Sequence, residues 1–187
     1  MHADAVEPSD EDLVKLTLSG DDRAFAELAG RHRDRLGRMA WRFAAHRQEA
    51  EDLVQEMLVR AWHKLGQFRG EVPFEHWLSR LAIRQCYDLL RERQRNREDT
   101  LEPEQWESLR ELATRSGEPE AAREFLGLAM CRLQPEERLV ITLLELEERS
   151  VRDVSVLTGW SEANVKTRAF RARQKLKTLL EELDETR

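Results

Sequence analysis

Along this chain apolar residues recur every three or four positions and almost never alternate with polar ones, so helices are predicted from end to end. Ser9-Asp10-Glu11-Asp12 has the form of a capping box, and Leu13, Val14, Leu16 and Leu18 carry a first helix as far as Gly20-Asp21-Asp22. A second helix has Phe25, Leu28, Leu36, Met39, Ala40 and Phe43 as its apolar positions. After His46-Arg47-Gln48 comes the strongest amphipathic pattern. Leu53, Val54, Met57, Leu58, Ala61, Trp62 and Leu65 predict one continuous buried stripe, with Asp52, Gln55, Glu56 and His63 opposite. The segment Gly66–Pro73, with two glycines and a proline, breaks that helix. The next runs from Phe74 to Arg95 with Trp77, Leu78, Leu81, Ala82, Cys86, Leu89 and Leu90 inward.

The pattern resumes at Ala121. One helix reaches Leu133, and Pro135 then suits the first position of a scaffold helix carrying Leu139, Val140, Leu143, Leu144 and Leu146. Ser150 and Asp153 predict a second capping box for a short helix through Val151, Val154 and Leu157. Thr158-Gly159-Trp160 is the turn, and Ser161 caps the last helix, to about Lys177. This is helix-turn-helix spacing. The fold expected is all-α: two small helical domains, 9–96 and 121–183, joined by a flexible acidic linker, 97–120, in which Trp106, Leu109 and Leu112 suit a short helix. Residues 1–8 are expected to be disordered and 184–187 to form a tail.

Charge sharpens this picture. The 187 residues are 36% charged and 6% aromatic, with net charge −6, which argues against a generic polyanion binder. The distribution says more. Six basic residues and no acid lie between Lys166 and Lys177, and six arginines lie between Arg80 and Arg97 against Asp88 and Glu92. Nine acids against three arginines fill Glu98 to Glu124. Two basic blocks separated by an acidic connector predict two nucleic-acid-facing surfaces. No apolar run approaches the roughly 18 residues of a membrane span, and the acidic N-terminus lacks a signal-peptide core, so a cytoplasmic protein without membrane insertion is expected. Cys86 and Cys131 have no CxxC or His-rich companion and read as reduced thiols. Nor is there an HExxH, Walker loop, GxSxG or paired Cys-His set; an enzyme is the least expected class, and no metal or cofactor is expected.

On the last helix Val165, Ala169, Ala172, Leu176 and Leu179 share one face. The outward arc holds Ala163, Lys166, Thr167, Phe170, Arg171 and Gln174, flanked by Glu162, Asn164 and Arg168. A recognition helix uses such residues on base edges and its marginal cations on phosphates. Lys166, Thr167 and Arg171 are the base-edge candidates, and Phe170 suits a thymine methyl. The Asp52/Gln55/Glu56 face reads either as the polar side of a core helix or as a docking face.

The stretch AEDLVQEMLVRAWHKLGQFRGEVPFEHWLSRLAI resembles the central segment of bacterial RNA polymerase sigma factors of the extracytoplasmic-function (ECF) class, and LSGDDRAFAEL the start of the same domain. LQPEERLVITLLELEERSVRDVSVLTGWSEANVKTRAFRARQKL resembles that class's promoter-reading domain. The resemblance implies that Asp52, Gln55 and Glu56 dock on the clamp helices of the polymerase's largest subunit. It implies that the Gly66–Pro73 loop, with Gln67, Phe68 and Arg69, captures a flipped base of the −10 element, and that Trp77, Arg80 and Arg84 support melting. Glu162, Ala163, Asn164, Lys166, Thr167, Arg168, Phe170 and Arg171 would read the −35 element. The partners implied are core RNA polymerase (including the flap of the second-largest subunit), promoter DNA and an anti-sigma factor. The class often has Gly-Thr where this chain has Ala163-Asn164, and a Gly in the turn before Ser150, where it has Arg149. Two other readings compete: a stand-alone helix-turn-helix regulator, which leaves the DLVQE helix without a task, and a sigma-like mimic that sequesters an anti-sigma factor, which need not keep basic DNA faces.

Overall fold

The computed structural model describes residues 7–96 and 119–184. The expected linker and its Trp106, Leu109 and Leu112, apart from residues 119 and 120, lie outside the described residues, as do residues 1–6 and 185–187. Among the described residues there are eight α-helices and no strand. They are α1 (Asp10–Leu18), α2 (Asp22–Trp41), α3 (Arg47–Lys64), α4 (Phe74–Asn96), α5 (Pro119–Cys131), α6 (Pro135–Ile141), α7 (Val151–Thr158) and α8 (Glu162–Asp184). No helix among them is long and apolar enough to cross a membrane. The chain divides into two compact units, 1–86 and 87–187, with the boundary inside α4.

In the first unit α1 packs on α2 and α2 on α3. The Ser9–Asp12 capping box forms as the sequence predicts, with the Asp12 amide donating to Ser9 Oγ at 3.2 Å. Pro8, expected within the disordered N-terminus, is instead held: its carbonyl accepts from Arg31 at 2.7 Å. Asp10 joins α1 to α2, meeting His32 Nε2 at 2.7 Å and Arg31 at 3.3 Å. Phe43, Leu28, Met57 and Leu13 are fully buried, and each such side chain stabilises the fold by about 1.5–3 kcal/mol relative to exposure. The α3 stripe departs from expectation at its end. Leu53, Val54, Met57, Ala61 and Leu65 are buried, but Trp62 is 40% exposed because it packs edge-on against Phe25, at 4.8 Å, on the rim of the core. Leu16 and Leu18 of α1 are also exposed.

In the second unit α8 receives α5, α6 and α7. Its inner face is the predicted one: Val165, Ala169 and Ala172 are buried, while Leu176 and Leu179 are partly buried against Phe125, Ala129, Met130 and Ile141. Pro135 occupies the first turn of α6. The scaffold helix is shorter than predicted. It ends at Ile141 and widens into a π-turn over Thr142–Leu146, with Glu147 N–H donating to the Thr142 carbonyl at 3.0 Å. Leaving that turn, Glu148 takes φ 52°, a left-handed conformation that penalises a residue with a Cβ. The strained position is Glu148, one residue before the Arg149 singled out from sequence. Cys86 is buried and Cys131 partly buried, and neither is in a disulfide.

Candidate functional site

The helix-turn-helix is built by local hydrogen bonds. Ser150 caps α7, its Oγ accepting from Asp153 N–H at 3.1 Å and donating to the Asp153 carboxylate at 2.7 Å. The Ser150 hydroxyl and the Ser150 backbone amide, both donating to the Asp153 carboxylate, hold it below the usual carboxylate range. Gly159 ends the helix at φ 77°, a conformation open to glycine without Cβ penalty. Ser155 Oγ donates to the Trp160 carbonyl at 2.6 Å, and Trp160 N–H donates to Thr158 Oγ1 at 3.3 Å, so the turn is tied on both sides. Asn164 N–H then donates to the Ser161 hydroxyl at 3.3 Å, starting α8.

On α8, Glu162, Ala163, Asn164, Lys166, Thr167, Phe170 and Arg171 are all exposed, Phe170 at 62%. Thr167 donates its hydroxyl proton to the Ala163 carbonyl at 2.9 Å, which leaves the oxygen as an acceptor. Arg168 is the exception. It is half-buried, its guanidinium lies 4.2 Å from the Trp160 ring centroid, and one terminal nitrogen is buried without a hydrogen-bond partner. Of the remaining cations, Arg173 meets Glu145 at 2.5 Å, Lys175 meets Glu137 at 2.6 Å and Lys177 meets Glu181 at 3.3 Å. Lys166 and Arg171 have no ion pair among the described residues.

In the first unit, Phe68 of the 66–73 loop is turned partly inward. It follows a short 3-10 turn, Leu65–Gln67, and is half-buried in a cluster with Phe74 (5.5 Å) and Trp77 (5.6 Å), which lie 5.5 Å from each other. Gln67 and Arg69 on either side of it are exposed, and Gly70 turns the loop at φ 71°. Trp77, Arg80 and Arg84 share a face of α4 at i, i+3 and i+7, with Trp77 half-buried and both arginines exposed. The loop therefore has an aromatic floor and polar flanks.

Asp52, Gln55 and Glu56 stand together on the outer face of α3, all exposed. Asp52 accepts from Gln48 at 3.0 Å, and Glu56 accepts from Gln85 at 2.8 Å, while Gln85 in turn accepts from Arg60. Asp52 and Gln55 line a groove of about 680 Å³ together with the apolar Phe25, Leu58, Val59 and Trp62. Sequence reading missed this apolar lining. The signal was a tryptophan at the edge of the stripe, which helical periodicity alone assigns to the core.

Residues 28–96 match the family model Sigma-70 region 2, and residues 125–176 match Sigma-70, region 4. The first ends with α4 and the second starts at Phe125, a buried residue of α5. The chain is also 30% identical over 174 residues to the ECF RNA polymerase sigma factor SigM of Mycobacterium tuberculosis, covering 93% of this chain and 86% of SigM. It belongs to the ECF sigma factors. The RNA polymerase sigma factor CnrH of Cupriavidus metallidurans is 33% identical over 185 residues, covering 94% of this chain and 96% of CnrH. The solved structure of CnrH in complex with the cytosolic domain of CnrY covers 93% of this ECF sigma factor and 98% of that chain, at TM-score 0.61 and 30% identity.

Proposed function

We propose that this ECF sigma factor binds core RNA polymerase through the outer face of α3 and directs initiation at promoters, reading the −35 element as duplex and the −10 element as a displaced strand. The observation that carries the reading is the pairing, on one chain, of an exposed recognition helix with an aromatic-floored loop flanked by cations. Duplex bases are read by side chains projecting from a rigid helix, which suits Lys166, Thr167, Phe170 and Arg171. Glu162, Ala163 and Asn164 lie at the same end of α8 and border the bases. Arg168, stacked on Trp160, supports the turn and reaches at most a backbone phosphate.

Unpaired bases are held instead by stacking and by cations. The 66–73 loop receives the flipped base between Gln67 and Arg69, and Phe68 and Trp77 form its floor. Arg80 and Arg84 take the phosphates that follow. Opening the duplex costs about 1.4 kcal/mol per step, so a few such contacts offset the melting of a short segment without ATP.

Docking uses Asp52 and Gln55 in the α3 groove, Glu56 beside it on the same helix face, and Trp62, Val59 and Phe25 as the apolar anchor, an aromatic-containing composition of the kind found at interface hot spots. The partners are the clamp helices of the largest polymerase subunit and, for the second unit, the flap of the second-largest. The CnrH–CnrY complex supports a further partner, an anti-sigma protein. Purified chain added to core polymerase is expected to start transcription at a discrete set of promoters, and Gln55→Ala with Glu56→Ala to abolish core binding while the helical signal is kept. Duplex binding with no association with core would replace this reading with that of a stand-alone regulator.

A further inference from the structure

His32 is a buried polar residue that neither docking nor the two promoter contacts use. It is 8% exposed, and its Nε2 meets the Asp10 carboxylate at 2.7 Å. A carboxylate only accepts, so the proton of that bond is carried by Nε2. Burying an imidazole is unfavourable unless such a bond is made, and Asp10 supplies it. The bond has a second effect. The outer torsion of a histidine side chain is broad and roughly two-fold, so the contact at Nε2 is what sets the plane of the ring. The ring so held lies 5.4 Å from Phe74, tilted by 56°. Phe74 is 2% exposed and is the hub of the aromatic floor, with Phe68 and Trp77 each 5.5 Å away.

We infer that His32 is a positioning residue for the 66–73 loop: pinned by Asp10, it braces Phe74, and Phe74 in turn sets the Phe68 ring on which an unpaired base is received. The inference rests on the base-capturing reading of that loop. Phe68 follows the 3-10 turn, where its N–H donates to the Leu65 carbonyl at 3.0 Å, and precedes α4, so its ring is placed by its aromatic neighbours. Both ends of the brace are themselves fixed. Asp10 opens α1 directly after the Ser9 cap and also meets Arg31 at 3.3 Å. Arg35, three residues after His32 and so on the same face of α2, pairs with Glu75, the residue next to Phe74. A stacking surface gains from being ordered before the base arrives, because a ring that must first be immobilised gives back part of the contact energy.

The test uses the full chain with para-fluorophenylalanine at position 68, whose fluorine resonance reports on the cluster without DNA. His32→Leu keeps apolar volume and removes the bond to Asp10; Asp10→Ala removes it from the other side, at a partly exposed residue; Asp10→Asn can still accept it. In the first two the resonance is expected to shift and broaden. Their affinity for a single-stranded oligonucleotide, selected by the parent from a random pool, is expected to fall on the order of fivefold. Asp10→Asn is expected to keep most of both properties. Helical signal and binding of the preferred −35 duplex should match the parent in all three, and if His32→Leu loses its helical signal, Asp10→Ala decides. An unmoved resonance overturns the proposal. So does a moved resonance with strand affinity retained, which would leave His32 a core residue only. Failure of the loop reading shows elsewhere, in a parent that selects no strand or in Phe68→Ala binding the strand as well as the parent.

Discussion

The two regions proposed to face DNA differ in how they hold their cations. On α8 most are engaged inside the protein: Arg173 by Glu145, Lys175 by Glu137, and Arg168 by the face of Trp160. Beside the 66–73 loop, Arg69, Arg80 and Arg84 stand in solvent, and the fixed component is the Phe68, Phe74 and Trp77 cluster. The contrast fits the two substrates proposed for them. Duplex offers phosphates at set spacing, so a rigid reader benefits from cations already positioned. A single strand has no set shape, so its reader needs a rigid surface for bases and long side chains that follow the backbone.

The strongest way to break the contrast is to remove the floor. Phe74 is 2% exposed, and Phe74→Ala should destabilise the first unit by about 3–5 kcal/mol, read by urea unfolding. An unchanged midpoint would deny the cluster its structural role. On the duplex side, Arg171→Ala should weaken binding to the preferred −35 sequence by about 1–3 kcal/mol and relax selection at one base pair, measured by fluorescence anisotropy. A loss shared equally by all sequences would make Arg171 a phosphate contact instead.

Next in size is the turn that aims α8. Ser150→Ala removes a helix cap and should cost about 1 kcal/mol in thermal unfolding. The same box predicts acid sensitivity. The Asp153 carboxyl titrates below its ordinary value of 3.8 in the folded chain. Its contribution is therefore complete above the unfolded value and is lost as pH falls through the lower folded one. Acid unfolding below about pH 4 should shift less with pH in Ser150→Ala than in the parent. Smallest is Glu145→Gln. It frees Arg173 from a half-exposed pair worth about 0.2–1 kcal/mol and should tighten DNA binding by a similar amount, with the salt slope steeper by about one. No change in slope would mean that Arg173 never reaches a phosphate.

Much of this architecture is legible in the sequence because it is local. Ser9/Asp12 and Ser150/Asp153 are boxes three residues wide, and Gly159 stands where its neighbours require a left-handed residue. What is not legible depends on neighbours distant in sequence. Periodicity places Trp62 in the core, but only the position of Phe25 decides that it lies at the rim. Likewise Phe68 reads only as a loop residue until Phe74 and Trp77 close around it, and Arg168 as one more basic residue until Trp160 turns beneath it. The strain at Glu148 follows from the π-turn before it, which no spacing rule announces.

Glu145 and Glu137 have one more consequence. Each places a carboxylate on a helix proposed to meet phosphates, and so acts as a tethered rival for the cation it holds, at an effective concentration on the order of millimolar or more. A stray polyanion must displace these internal anions and has no base contacts to compensate. The correct sequence displaces them too, but recovers the difference at the base edges. By imitating DNA toward α8, these carboxylates would lower its affinity for every polyanion alike, so that only DNA offering the proposed base contacts binds well, and a net charge of −6 works in the same direction.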